Sequence, residues 1–368
     1  MEQLDHLPAT MECVTCHGPH DYRHDEKPVP TAGPGEVLLN VHSAGLCASD
    51  VACWKGAFGY WPGDGMPGFV QPPVVPGHEF VGTVVGLGEG AAEKHGLELG
   101  DTAVSEQITP CWDCRFCKRG QYWMCHNTEI YGFRQHCHGA MADYMVFPAN
   151  AINHRVPDEV AIDHAVFIEP LACAIHAVDR GNITEGDTVV VAGCGPIGLG
   201  MLAAAKMKKP GLLIATDLHP DRLELAKACG ADLTINPSEV DVIDDVRSLT
   251  EGYGCDVFLE ASGHPSAVNQ GLRMIRKLGT FVVFGVFKEQ VTTEWSIIGD
   301  RKELDVLGAH LGPYCYPRAM EMLAAGALPM DQIITHRLPF SQIDTALELT
   351  ASGAESVKVT LAPESVLA

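Results

Sequence analysis

The sequence of 368 residues has no apolar run near the roughly 18 residues that a membrane-spanning helix needs. Its first ten residues, MEQLDHLPAT, contain neither a basic nor an apolar segment, so they do not resemble a signal peptide. The chain also lacks internal repeats, low-complexity tracts and long linkers. We therefore expect a cytoplasmic protein. We expect two domains, because a chain of this length exceeds the size at which one hydrophobic core usually stops growing.

Basic residues are scarce, since 25 Lys and Arg stand against 47 Asp and Glu and the formal net charge is −22. A surface this acidic would repel phosphate backbones and anionic lipids. We therefore expect no nucleic-acid partner and no membrane partner. Cysteines, in contrast, are numerous, with 14 in the chain. In a reducing compartment they favour metal binding or simple burial over disulfides.

The pattern of apolar runs changes near residue 186. Before it, short runs such as 36–45 and 80–88 lie between Gly- and Pro-containing turns, which predicts an irregular β-rich domain. After it, short buried-strand patterns alternate with helical patterns, which predicts an α/β domain with a parallel, doubly wound sheet. The C-terminal segment no longer alternates in this way, and we expect it to return to the first domain.

A glycine-rich turn lies at the start of the alternating region. VVVAGCGPIGLG carries Gly193, Gly195 and Gly198 in the spacing G-x-G-x-x-G, between a strand pattern and a helical pattern. Such glycines allow a tight turn, approach to a pyrophosphate and close helix–strand packing. Asp217 ends the next strand pattern, where a carboxylate binds ribose hydroxyls and repels a 2′-phosphate. The pattern predicts an NAD site, with a plain structural turn as the alternative. We expect Arg222 either to contact the adenine or the ribose of the cofactor or to be exposed to solvent.

Four cysteines are clustered between residues 111 and 125. Cys111, Cys114, Cys117 and Cys125 have the spacing C-x2-C-x2-C-x7-C, and four converging thiolates suit a closed, structural zinc site. The same ligands can hold an iron–sulfur cluster, and a redox C-x-x-C pair or ordinary buried thiols are further alternatives. CVTCH at 13–17 matches the c-type haem string, but we interpret it as a coincidence in a β-like segment.

A second set of metal-binding residue types is spread over three segments. GLCASD contains Cys47 and Ser49, VVPGHEFVG contains His78 and Glu79, and FIEPLACAIH contains Glu169. Each of these residues alone is more often structural than catalytic. Together, one thiolate, one imidazole and one or two carboxylates would bind zinc and leave a position open for water or substrate. The sequence therefore predicts a catalytic zinc site.

GHEFVGTVVGLGEGA, at 77–91, resembles the zinc signature of the medium-chain alcohol dehydrogenases, and the four cysteines, the glycine-rich turn and Asp217 follow in that family's order. The chain is most similar to the polyol branch, which includes sorbitol dehydrogenase, and to threonine dehydrogenase. The resemblance implies a GroES-like β-rich catalytic domain of residues 1–167 and 310–368, with a structural zinc lobe at about 105–130. It implies a Rossmann NAD-binding domain at 168–309, and a homo-oligomer, either a tetramer or a dimer.

The resemblance also assigns residue roles. Cys47, His78, Glu79 and Glu169 would hold the catalytic zinc, and Glu169 stands where simple alcohol dehydrogenases place a cysteine. Two arrangements stay open: both glutamates touch the metal at once, or one acts through water or enters only during turnover. Ser49 would hydrogen-bond the substrate hydroxyl and begin removal of its proton. The implied cofactor contacts are Gly193, Gly195, Ile197, Gly198, Asp217 and Arg222.

One position departs from the family pattern. Ala52 lies where sorbitol and threonine dehydrogenases usually carry a histidine, so the proton route from Ser49 must run through water, Glu169 or another group. The expected reaction is NAD-dependent oxidation of a secondary hydroxyl of a small sugar alcohol, erythritol or threitol, to the ketose. L-threonine 3-dehydrogenase and butanediol dehydrogenase are the enzymatic alternatives, and a catalytically silent NAD- and zinc-binding relative is the non-enzyme alternative. The aromatic candidates for the pocket wall, with core packing as the alternative, are Trp54, Tyr60 and Trp61.

Overall fold

The structure is a computed structural model that describes residues 2–3, 7–63 and 68–367. The chain divides into two compact units, and the change from one to the other falls inside a continuous helix, Ile168–Arg180. The division expected from the sequence, at 168 and 310, stays a prediction of where the domains separate. The first unit comprises Met1–Glu169, Tyr316–Ala324 and Ile334–Ala368, and the second comprises Pro170–Cys315 and Ala325–Ile333.

The strands are numbered in chain order. They are β1 (Glu2–Gln3), β2 (Thr10–Gly18), β3 (Asp21–Pro28), β4 (Val37–Gly45), β5 (Glu79–Leu87), β6 (Thr102–Ser105), β7 (Tyr144–Phe147), β8 (Asn153–Arg155), β9 (Thr188–Ala192), β10 (Leu212–Thr216), β11 (Leu233–Ile235), β12 (Cys255–Glu260), β13 (Ile275–Val283), β14 (Asp305–Gly308), β15 (Ile334–Pro339) and β16 (Lys358–Ala362).

The helices are numbered in the same way. They are α1 (Ala48–Trp54), α2 (Ala91–His95), α3 (Ile162–Ala165), α4 (Ile168–Arg180), α5 (Pro196–Lys206), α6 (Pro220–Ala228), α7 (Val242–Leu249), α8 (Pro265–Met274), α9 (Tyr316–Ala324), α10 (Met330–Ile333), α11 (Ile343–Ser352) and α12 (Glu364–Leu367). Short 3-10 turns occur at Cys117–Arg119, Tyr122–Met124, Trp295–Ile297 and Phe340–Gln342. None of the helices in the described residues is both long enough and apolar enough to cross a bilayer.

The first unit is built on a mixed sheet with the strand order β15-β16-β4-β5-β6-β8, to which β1 adds beside β5 and β7 beside β4. β2 and β3 form a separate antiparallel hairpin. The central strands β4 and β5 are buried along nearly their whole length. They are therefore rich in apolar residues on both faces, as a strand covered on both sides must be. This central position fixes the ends of β4 and β5, where the metal-binding residue types lie.

The second unit contains a parallel sheet with the order β11-β10-β9-β12-β13-β14. Counted from β9, this is the order 3-2-1-4-5-6 of the doubly wound fold. The predicted parallel sheet is confirmed. Val190, Ile214, Phe258 and Phe281 form much of its core. The direction of winding reverses at β9 and β12, and ligands of such sheets bind at the carboxyl ends of the strands on either side of a reversal.

Candidate active site

Strand pairing brings the first two metal-binding residue types together. β4 and β5 pair antiparallel with Gly45 opposite Glu79, so the end of β4 lies beside the beginning of β5. Cys47 follows the end of β4 as the N-cap of α1, and His78 immediately precedes β5. The register of these two strands therefore places the thiol of Cys47 near the imidazole of His78.

Helix α1 orients the cysteine and the histidine through one buried carboxylate. The Asp50 Oδ2 atom accepts a hydrogen bond of 2.9 Å from the backbone N–H of Cys47. Its Oδ1 atom lies 3.7 Å from Nδ1 of His78, an atom with no hydrogen-bond partner in the described structure. On the other side of the imidazole, the Ser49 hydroxyl lies 3.5 Å from Nε2. Asp50 was not assigned a role from the sequence, although such a carboxylate commonly orients a metal-binding histidine.

Cys47, His78 and Glu79 each offer a ligand atom, and these atoms all lie within 4.8 Å of one another. Burial disfavours a charged imidazole, but Asp50 and Cys47 together raise the pKa of His78 to about 10. The raised pKa means that the surroundings of the His78 imidazole carry excess negative charge. A divalent cation bound there would compensate that charge. One soft sulfur, one imidazole and an oxygen are also ligands that zinc accepts. The residues therefore fit a zinc ion.

Glu79 has a partner that the sequence analysis missed. The Nζ atom of Lys358, at the start of β16, pairs with Oε2 of Glu79 and also donates a hydrogen bond of 2.9 Å to the carbonyl of Leu46. Both side chains are almost fully buried, with 1% and 2% of their surfaces exposed. Burial works against the ammonium, but Glu79 and Cys47 raise the pKa of Lys358 above its ordinary value. Gly45 leaves the space for this pair, because a Cβ there would lie 2.3 Å from Oε2 of Glu79.

Glu169 lies at the first turn of α4 and is 6% exposed. It is not one of the three residues whose ligand atoms form the tight group. Its charge nevertheless contributes to raising the pKa of both His78 and Lys358, which places its carboxylate near them. Cys47, His78 and Glu79 thus form one close group with Glu79 held by Lys358, and Glu169 lies near enough to act on its charges.

One aromatic ring lies beside the imidazole, and a second lies beside the first. The ring of Phe133 lies 5.6 Å from that of His78 and 6.0 Å from that of Tyr60. Burial raises the pKa of Tyr60, and the charges of Cys47 and Asp50 add to the increase. Of the other two aromatic candidates, Trp54 packs on the ring of His20 and Trp61 donates a hydrogen bond to the backbone carbonyl of Cys53. Phe133 was not singled out from the sequence.

The four clustered cysteines converge, and their sulfur atoms all lie within 4.8 Å of one another. Cys114 lies 3.5 Å from Cys117, sulfur to sulfur. Backbone N–H groups of Cys117 and His126 lower the pKa of Cys114 to about 6. Burial raises the pKa of Cys117 to about 12, and the neighbouring thiols add to that increase. Four convergent sulfurs, one of them readily ionised, fit a tetrahedral metal ion.

A buried carboxylate attaches this cysteine lobe, residues 111–125, to the sheet. Glu106 follows β6, is 3% exposed, and accepts a hydrogen bond of 2.7 Å from the hydroxyl of Tyr122 inside the lobe. Its other oxygen lies 3.3 Å from Nε2 of His154 on β8. The imidazole of His154 in turn stacks on the ring of Tyr316 at 5.3 Å. The lobe is therefore connected through Glu106 to the neighbouring strand and to α9.

The glycine-rich turn lies in the second unit, between β9 and α5. Gly193 has φ = +96°, which an L side chain rarely adopts, and a Cβ at Gly198 would lie 1.8 Å from the carbonyl oxygen of Gly193. A Cβ at Gly195 would meet no atom within 4 Å, so the backbone there is open to a ligand. Ile197 lies in the first turn of α5. The turn therefore fits a pyrophosphate.

Asp217 lies just beyond β10, beside the turn. Its Oδ2 atom accepts a hydrogen bond of 2.7 Å from the backbone N–H of Cys194, and its Oδ1 atom accepts one of 2.9 Å from His219. Two backbone donors thus fix the carboxylate in place, and each oxygen keeps a lone pair for a ribose hydroxyl. Arg222 lies in the first turn of the adjacent helix α6.

Comparison with known proteins supplies the family. One family model, described as the alcohol dehydrogenase GroES-like domain, matches residues 33–158, and a second, described as zinc-binding dehydrogenase, matches residues 196–325. Erythritol/L-threitol dehydrogenase of Mycolicibacterium smegmatis is 56% identical over 357 residues, which cover 97% of this chain and 99% of that protein. L-threonine 3-dehydrogenase of Pyrococcus horikoshii is 36% identical over 332 residues, covering 89% and 91%.

A solved structure agrees with this assignment. That of 2R,3R-butanediol dehydrogenase from Bacillus subtilis is 26% identical, with a TM-score of 0.84 and coverage of 96% of this chain and 99% of that one. The predicted GroES-like and Rossmann fold class and the predicted resemblance are confirmed. The chain belongs to the zinc-dependent medium-chain alcohol dehydrogenase family and is an oxidoreductase.

Proposed function

We propose that this enzyme oxidises a secondary hydroxyl of a four-carbon sugar alcohol, erythritol or threitol, to the ketose, and transfers the hydride to NAD. The observation that carries the proposal is the 56% identity, over nearly the full length of both chains, to a protein named erythritol/L-threitol dehydrogenase. The group formed by the half-buried Cys47 and the buried His78 and Glu79 supports it, because it fits the metal that such a reaction uses.

We infer that one zinc ion is held by Cys47, His78 and one or both glutamates, Glu79 and Glu169. Zinc would lower the pKa of the substrate hydroxyl, and the nicotinamide would accept the hydride. Ser49 has its hydroxyl 3.5 Å from His78, where it can hydrogen-bond the substrate hydroxyl and begin removal of its proton. The proton then leaves through water, Glu169 or another group, because the alanine at position 52 cannot carry it. A second, structural zinc would be held by the cysteine lobe.

We propose NAD rather than NADP as the cofactor. Asp217 is fixed by two backbone N–H groups beside the glycine-rich turn, so it cannot swing away from an added 2′-phosphate without breaking both hydrogen bonds. A carboxylate held there repels that phosphate. The remaining assignments, a cytoplasmic location and a homo-oligomeric state of dimer or tetramer, rest on the sequence and on the resemblance.

L-threonine and butanediol remain the enzymatic alternatives, since an L-threonine 3-dehydrogenase is 36% identical and a butanediol dehydrogenase shares the fold. Threonine would need groups in the pocket that pair with its ammonium and with its carboxylate. The polyol is favoured because carboxylate ligands make a zinc site harder and more polar than one with two thiolates.

The test is a substrate panel with the zinc-loaded enzyme. Erythritol, both threitol enantiomers, sorbitol, L-threonine and 2,3-butanediol would each be incubated with NAD and, separately, with NADP, while the absorbance of the reduced nicotinamide is followed. We expect kcat/KM to be highest for erythritol or a threitol with NAD. A higher kcat/KM for threonine or butanediol would replace the polyol assignment. No oxidation of any compound by protein that contains zinc and binds NAD would identify a silent relative.

A further inference from the structure

The cofactor-binding residues predicted from the sequence all belong to one half of the dinucleotide site. Gly193 and Asp217 belong to the half formed by β9, β10 and β11. A doubly wound sheet is built from two such mononucleotide-binding halves, and the ligand lies across the reversal in strand order. The second half is formed by β12, β13 and β14, so the nicotinamide end is expected at the carboxyl ends of those strands.

The last residue of β12 is a glutamate that is completely buried. Glu260 is 0% exposed, and its Oε1 atom accepts three hydrogen bonds from the turn that follows the strand. The donors are the backbone N–H of Ser262 at 2.8 Å, the Ser262 hydroxyl at 2.6 Å and the backbone N–H of Gly263 at 2.9 Å. A single carboxylate oxygen therefore determines the shape of the turn, residues 261–263.

This turn lies directly against the phosphate-binding turn. A Cβ at Gly193 would lie 2.9 Å from both the nitrogen and the Cα of Ser262. The backbone N–H of Ala261 donates a hydrogen bond of 2.9 Å to the carbonyl of Ala192, the last residue of β9. The two turns therefore pack against each other, and Gly193 limits where the 261–263 turn can lie.

The same glutamate also contacts the segment that follows β13. The backbone N–H groups of Phe284 and Gly285 both donate to the carbonyl of Glu260, at 3.1 Å. A Cβ at Gly285 would lie 2.4 Å from the Oε2 atom of Glu260 and 2.5 Å from the nitrogen of Gly263. Glu260 thus joins the carboxyl ends of β9, β12 and β13, which are the strand ends that the second half of the dinucleotide must reach.

One oxygen of this carboxylate is unexplained by the turn. In the described part of the chain, Oε2 of Glu260 is buried and has no hydrogen-bond partner. Holding the turn requires only Oε1, and a buried acceptor without a partner destabilises a fold. The contacts within the folded protein therefore do not explain why Oε2 of Glu260 is buried without a hydrogen-bond donor.

We propose that Glu260 is a positioning residue for the nicotinamide half of the cofactor. It holds the 261–263 turn against Gly193 through Oε1, and it keeps Oε2 as an acceptor for a donor that becomes available when the dinucleotide is bound. This inference rests on the proposed NAD-dependent function, and it concerns binding of one half of the cofactor rather than the identity of the alcohol.

The test compares two ligands that differ in the nicotinamide half. Binding of NADH is measured by its fluorescence and binding of AMP by calorimetry, for the wild type and for Glu260→Ala and Glu260→Gln. We expect Glu260→Ala to weaken NADH binding about tenfold or more, because several hydrogen bonds that order the turn are lost, and to leave AMP binding within about twofold. Glu260→Gln keeps one acceptor oxygen and the shape of the side chain, so we expect a smaller loss of NADH affinity, about threefold, with AMP unaffected.

Asp256 offers a matched control at the opposite end of the same strand. Its carboxylate accepts a hydrogen bond of 2.7 Å from the backbone N–H of Thr188 and pairs with Arg276. Asp256→Asn should change NADH and AMP binding equally or not at all. Parallel loss of both ligands in the Glu260 variants, unchanged NADH binding, or the same selective loss in Asp256→Asn would overturn the inference. If Glu260→Ala does not fold, Glu260→Gln decides. Failure of the wild type to bind NADH would contradict the proposed function instead.

Discussion

At the scale of single residues, the pairing of Glu79 with Lys358 determines the charge of the predicted zinc site. Cys47, Asp50, Glu79 and Glu169 can all carry negative charge there, and Lys358 supplies one buried positive charge in contact with Glu79. A buried carboxylate without a partner is strongly unfavourable. The ammonium therefore stabilises Glu79 before any metal is bound.

Removal of the Lys358 charge should affect the metal-free protein most. We expect Lys358→Met to lower the free energy of unfolding of the zinc-stripped enzyme by about 3–5 kcal/mol, the usual effect of leaving one member of a buried ion pair alone. Zinc would replace part of the lost positive charge, so the loss should be smaller in the zinc-loaded enzyme. Denaturant unfolding of both forms measures the difference.

Lys358→Arg is the control, because it keeps the charge, and the double variant Lys358→Met with Glu79→Gln should recover part of the stability. Equal destabilisation of the stripped and loaded forms by Lys358→Met would show that the lysine does not balance the charge of the metal site.

Some residues of the site could be predicted from the sequence and others could not. Cys47 and His78 could, because a thiol and an imidazole are the usual zinc ligands and the segment around His78 matches a family signature. Lys358 could not, because it is 279 residues from Glu79 and occurs in a strand, SVKVTLA, whose alternation suggests an exposed lysine. All five residues of β16, Lys358–Ala362, are buried in the structure. Burial on both faces is a property of the assembled sheet and not of the strand.

At the scale of secondary-structure elements, the cysteine lobe depends on contacts with the sheet because it has little regular structure of its own. The lobe contains only short 3-10 turns, so the predicted zinc site and a few hydrogen bonds would have to hold its shape. The hydrogen bond from Tyr122 to the buried Glu106 is one of these.

Loss of that hydrogen bond should loosen the lobe without changing its ligands. We expect Tyr122→Phe to release the lobe's zinc to a chelator several-fold faster than the wild type, because a buried acceptor left without its donor destabilises the closed lobe by about 1–3 kcal/mol. Zinc release followed with a coloured chelator, in two kinetic phases, measures this. The phase that belongs to Cys47 and His78 should keep its rate.

Tyr144→Phe is a suitable control, since it removes a half-buried phenol on β7, outside the lobe. The account of the lobe would be wrong if Tyr122→Phe and the wild type released both zinc ions at the same rates.

The elements of the second unit were easier to predict than the contacts between their ends. Strands β9, β10, β12 and β13 of the parallel sheet each contain a short apolar run, and the glycine spacing marks the first turn. The turn after β12 has no such signal, because EASGH reads as an ordinary loop. Its importance depends on Glu260 being completely buried and on three strand ends meeting around it.

At the scale of the whole molecule, the chain combines two clusters of candidate metal ligands in the first unit with a doubly wound parallel sheet, which carries the predicted dinucleotide-binding turn, in the second. The central claim is that the cluster of Cys47, His78 and the acidic residues holds the zinc on which oxidation depends, whereas the cysteine lobe holds a zinc with a structural role.

The most direct test is the zinc content and activity of Cys47→Ser, with Cys137→Ser as the control because Cys137 is buried in the same unit but belongs to neither cluster. Our account predicts that Cys47→Ser keeps its fold, loses about one of two zinc ions per chain and has no measurable dehydrogenase activity, while Cys137→Ser keeps both. A Cys47→Ser enzyme that retains its full zinc content, or that oxidises its substrate at the wild-type rate, would contradict the account.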